Sequence, residues 1–112
     1  MCLQLQSFTY VPAAGARSAQ FHLVYDNPHH CAEIEGFIAS AYEGDGCEFV
    51  LDDGTRSPKL KFRVPVEPDG GEIFLPAHMH VLPGEGSIQL GVHYRCDDDD
   101  DECHALYTNI DP

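Results

Sequence analysis

Turn chemistry recurs about every ten to fourteen residues along this chain, and between the turns lie short runs alternating apolar and polar residues. A period of two fits a strand with one buried face, and no rhythm of strand and crossover helix appears. The chain is therefore expected to be all-β: a single-domain antiparallel β-sandwich, or small barrel, of about seven to eight short strands across residues 1–112. At this length a core forms without help from disulfides or metal.

The individual runs carry more detail. Leu3-Gln4-Leu5-Gln6 alternates, then changes phase near Ser7, as a bulge or bend would cause. Residues 21–25 form a second strand, stopped by Asp26-Asn27-Pro28. Residues 31–42 read as strand, with Ala32, Ile34, Gly36, Ile38, Ser40 and Tyr42 on one face. Ile34, Phe37, Ile38 and Ala41 also fit a helical stripe, but the internal Gly36 and the flanking turns favour strand. Residues 47–51 form a short strand between Gly44-Asp45-Gly46 and Asp52-Asp53-Gly54. Residues 59–66 turn Leu60, Phe62, Val64 and Val66 inward and Lys59, Lys61 and Arg63 outward, and Pro65 marks an edge or an end. After Pro68-Asp69-Gly70-Gly71, residues 72–81 place Ile73, Leu75, Ala77, Met79 and Val81 on one face and Phe74, Pro76, His78 and His80 on the other.

A final hairpin is expected from residues 88–96 running out and residues 103–107 running back. If Cys96 sits opposite Cys103, Tyr94 faces Ala105 and Val92 faces Tyr107, leaving His93, Arg95 and His104 on the other side. Between the two runs stand Asp97, Asp98, Asp99, Asp100, Asp101 and Glu102.

Charge narrows the function classes. Six Lys+Arg against nineteen Asp+Glu give a net charge of −13, which repels nucleic acid and anionic membranes and favours basic partners or divalent cations. No run approaches the ~20 apolar residues of a membrane span. The N-terminus lacks the basic and apolar regions of a secretory signal. Five irregularly spaced cysteines suit reduced thiols, so a cytoplasmic setting is expected. Cys96 and Cys103, facing each other across the hairpin neck, are the pair placed for a disulfide. The six adjacent carboxylates suit weak Ca²⁺ or Mg²⁺ binding, lacking the alternation of a structural calcium loop. They also suit docking on a basic protein surface, in the manner of phage or mobile-element inhibitors that imitate the charge of nucleic acid.

A metal reading rests on His78 and His80, two apart on a strand and so on one face. If the turn over residues 82–86 pairs this strand with the next, His93 and His104 join that face, a donor set suited to Zn, Ni, Cu or Fe. Gly71, His78, His80, Glu85 and Gly91 resemble, in order, the first motif of the cupins, which implies a metal-binding barrel. The chain departs from that motif at Glu85, set in a Pro-Gly-Glu-Gly turn, and leaves no room for a second motif, so no cupin activity is carried over. A Cys₂His₂ zinc site from Cys96, Cys103, His93 and His104 is disfavoured by the long spacing. His29-His30-Cys31 sets a thiol beside imidazoles only in sequence, and no phosphate cradle or nucleophile elbow occurs, so no enzyme is indicated.

The leading expectation is a non-catalytic acidic protein-interaction module that binds a basic partner. Its alternatives are a metal-binding, cupin-like protein or metalloenzyme, a charge-mimicking inhibitor, and a homo-oligomer that hides Phe74 and Leu106 on a sheet face.

Overall fold

The computed structural model describes residues 3–12, 19–41, 47–81, 88–96 and 105–110. Its ten strands are β1 (Gln4–Val11), β2 (Ala19–Asp26), β3 (Glu33–Ser40), β4 (Cys47–Val50), β5 (Arg56–Ser57), β6 (Lys59–Pro65), β7 (Gly71–Ala77), β8 (Met79–Val81), β9 (Ile88–Cys96) and β10 (Ala105–Ile110). They form three open antiparallel sheets, ordered β1-β2-β7, β10-β9-β3-β6 and β5-β4-β8. The all-β expectation holds, and no helix occurs among the described residues. None is therefore long and apolar enough to cross a membrane.

One core joins the sheets. Phe8, Phe21, Leu23 and Leu75 from the first meet Ile34, Ile38, Leu90, Val92 and Tyr94 from the second, with Phe49 from the third. The alternation produces this directly, because every second residue of β2 and β9 is buried. Gln6 is the irregular residue in β1, with Leu5 paired to Tyr25 and Ser7 to Val24, so the phase change near Ser7 is a bulge. Residues 33–40 are strand, with Ile34 and Ile38 buried. β6 is an edge strand, which is where Pro65 is tolerated. The two glycine turns hold left-handed residues where only glycine is unstrained, Gly54 at φ 85° and Gly70 at φ 97°.

Three sequence expectations are corrected. The run over residues 72–81 is two strands: β7 pairs with β2, the chain passes out of that sheet at His78, and β8 pairs with β4. β8 and β9 are therefore not neighbours, since β9 lies between β3 and β10, and the expected turn over residues 82–86 lies outside the described residues.

The final hairpin is shifted by one residue, with Ala105 opposite His93, Leu106 opposite Val92 and Tyr107 opposite Gly91. A one-residue slip exchanges faces. Leu106 thus packs against the core, while Tyr107 lies outside, 51% exposed. Its ring covers Gly91, where a Cβ would come within 2.8 Å of it. Leu106 consequently cannot share an exposed face with Phe74, which stands 55% exposed on another sheet.

Candidate functional site

The outer face of the β9-β3-β6 portion of the second sheet concentrates most of the basic residues. β6 turns Lys59, Lys61 and Arg63 outward, and β9 adds Arg95, so four of the six Lys and Arg of the chain stand on one face. β3 runs between them and contributes Glu33, Glu35 and Phe37. Register places Glu35 directly between Arg63 and Arg95. The Arg95 Nε and Nη2 groups both donate to Glu35 Oε1, at 2.7 and 2.5 Å. Arg63 Nε donates to Glu33 Oε1. Such exposed pairs add little stability, but they hold two long side chains in fixed positions.

A second row runs beside this one. Phe37 lies opposite both Lys61 and His93, and its ring stacks on the His93 imidazole at 4.9 Å between centroids. The Lys59 ammonium sits 4.5 Å from the centre of the same ring, a cation–π contact. Tyr107 meets His93 edge-on at 6.4 Å. Lys61 forms no ion pair with any described residue. Of these side chains Glu35, Phe37, Lys61, Arg63, His93 and Arg95 wall an open groove of about 710 Å³.

A second groove, of about 500 Å³, lies between the edge strands β6 and β7. Leu60, Phe62 and Leu75 line it, with Asp52, Asp53 and His78 among its polar groups. Asp53 accepts from the Thr55 hydroxyl at 2.6 Å and from the Thr55 N–H at 3.0 Å. These two bonds, the hydroxyl first, hold its carboxyl below the ordinary carboxylate value. Among the described residues neither groove is lined by a serine, threonine or cysteine.

The proposed metal ligands are dispersed. His78 occupies the break between β7 and β8, where its carbonyl accepts from the Val50 N–H at 2.6 Å. His80 is exposed on β8, and His93 belongs to a different sheet. His104 lies outside the described residues. The shared face required β8 to pair with β9, and that pairing does not occur. Among the described residues no group of three or more His, Cys, Asp and Glu is placed to hold a metal ion. Of the cupin-like series, Gly71 begins β7 while Gly91 lies within β9, and Glu85 is outside the described residues.

Cys96 is buried, its Sγ accepting from the Leu3 N–H at 3.3 Å, while Cys103 lies outside the described residues. Cys31 is also buried and donates from Sγ to the Glu33 carbonyl at 3.0 Å. Asp97, Asp98, Asp99, Asp100, Asp101 and Glu102 lie outside the described residues. The strand before them ends at Cys96, which pairs with Ile34 near the start of β3. That end of the molecule also carries the turn after β6, where Gly70 donates to the Glu67 carbonyl at 3.2 Å. Asp26, Glu67, Asp69 and Glu72 are all exposed around it. It forms an acidic pole.

The sequence pattern placed Lys61, Arg63, Glu33 and Glu35 outward, yet it did not assemble them into a site. The missing information was strand order. Only the sequence β9-β3-β6 brings Arg63 and Arg95 to either side of Glu35. No protein-family model, curated protein or solved structure matches this chain.

Proposed function

We propose that the chain is a non-catalytic interaction module whose acidic pole, together with the carboxylates of residues 97–102, engages a basic protein partner. The observation that carries this reading is the separation of charge. Four of the six Lys and Arg stand on one sheet face, while Asp26, Glu67, Asp69 and Glu72 surround the pole from which the six-carboxylate run follows. A surface sorted in this way steers a basic partner to one end of the molecule instead of attracting it everywhere. In the same reading the two larger sheets are the layers of a β-sandwich and the small third sheet lies at its flank.

Fluorescence anisotropy with a labelled deca-lysine peptide tests the proposal. Affinity should fall steeply with added salt, and converting residues 97–102 to Asn and Gln should weaken it about tenfold. An affinity unchanged by that conversion overturns the reading.

A further inference from the structure

The groove over β6, β3 and β9 is unlike the rest of this acidic molecule. Across this face Lys59, Lys61, Arg63 and Arg95 supply four positive charges, and Glu33 and Glu35 supply two negative ones. Lys61 is paired with no described carboxylate, and Arg95 is held in place by its bonds to Glu35. Guanidinium and ammonium groups converging on one concavity form a recognition set for tetrahedral oxyanions, with arginine supplying the directional donors. The excess of two positive charges matches a phosphate monoester, which carries about −1.5 to −2 near neutral pH. Phe37 and His93 provide an apolar, ring-bearing wall beside the cations. A volume of about 710 Å³ also falls within the range typical of small-molecule sites.

Size and background charge choose among phosphate-bearing ligands. A long polyanion would approach a chain of net charge −13 against repulsion along most of its length. A small ligand confined to the groove meets mainly the local positive field. The geometry points to a binding site for a small organic phosphate monoester, its phosphate among Lys61, Arg63 and Arg95 and its apolar body along Phe37 and His93. This assignment rests on the groove and not on the acidic pole, so it stands or falls independently of the proposed function.

Titration of ¹⁵N-labelled protein with phenyl phosphate, followed by backbone amide shifts, tests the assignment. Saturable shifts are expected on β6, β3 and β9 around Lys61, Phe37 and His93. Benzoate, which has the ring but a single charge, should bind at least about fivefold more weakly, as should inorganic phosphate, which lacks the ring. Lys61→Gln and Arg95→Gln alter exposed side chains and should preserve the thermal transition, yet each should weaken phenyl phosphate about tenfold. The assignment is overturned by an absence of saturable shifts on this face. Affinity unchanged in both variants would overturn it too. A phosphotyrosine peptide that binds the same face more than about tenfold tighter than phenyl phosphate would replace the small molecule with a phosphorylated protein.

Discussion

The Tyr94 hydroxyl donates to the Leu3 carbonyl at 3.0 Å, tying the last part of β9 to the residue preceding β1. The same oxygen accepts from the Leu5 N–H at 3.1 Å. One buried phenol thus satisfies two backbone groups at the start of the chain and fastens the first sheet to the second. Tyr94→Phe removes both bonds while leaving the ring in place. It should cost about 1–3 kcal/mol, measured by urea denaturation, because a buried carbonyl and a buried N–H lose their partner.

Burial also raises the Tyr94 hydroxyl above its ordinary value of about 10. The sign of the consequence follows from proton counting. Above that pH the unfolded chain gives up its proton while the folded protein retains it, so stability falls as pH rises. The stability advantage of wild type over Tyr94→Phe should therefore shrink above pH 10, and denaturation curves of the two proteins between pH 8 and pH 11 check it.

Asn27 is a buried polar residue, 3% exposed. Its Nδ2 donates to the carbonyls of Cys31 and Glu67, both at 2.8 Å, and its Oδ1 accepts from the Cys31 N–H at 2.8 Å. Asn27→Asp is nearly isosteric but replaces two donors with a carboxylate oxygen facing two carbonyls. A loss of about 3 kcal/mol is expected, and a thermal melt reads it as a lower midpoint. Asn27→Asp at unchanged stability would contradict this account of the Asn27 bonds.

Gly36 faces β9 so closely that an added Cβ would lie 1.9 Å from the His93 carbonyl oxygen. The obstacle is backbone, which cannot swing aside. Gly36→Ala should destabilise by about 3 kcal/mol and should also disturb the Phe37–His93 stack beside it. Chemical denaturation measures the first effect, and shifts of the His93 ring protons report the second.

Much of the fold was legible in the chain, and the site was legible only in pieces. Alternation fixed which side chains of β2, β6 and β9 point inward, and glycine turns located the β4–β5 and β6–β7 connections, because both are local properties. The splitting of residues 71–81 at His78 left no local trace, since His78 keeps the period of two while the strand changes its hydrogen-bonding partner from β2 to β4. The hairpin register failed for a related reason. Pairing Cys96 with Cys103 is chemically attractive, yet burying Leu106 and covering Gly91 with Tyr107 selects a register shifted by one residue. Strand order, which assembles the cationic face, depends on long-range packing that alternation does not encode.

The dispersal of the histidines carries an expectation for metal. His78→Ala with His80→Ala should leave the zinc, nickel, copper and iron content of protein purified without a histidine tag unchanged by elemental analysis, and the thermal midpoint unchanged with or without chelator, because His78 and His80 share no sheet with His93. A metal lost in that double variant would restore a site at the β7–β8 junction.

The most direct test of the central claim is to map where a basic ligand lands. In an amide-shift titration with deca-lysine, shifts are expected at the acidic pole, around Asp26, Glu67, Asp69 and Glu72, with the outer face of β6, β3 and β9 unmoved. Shifts centred on that cationic face, or spread evenly over the surface, would contradict the account.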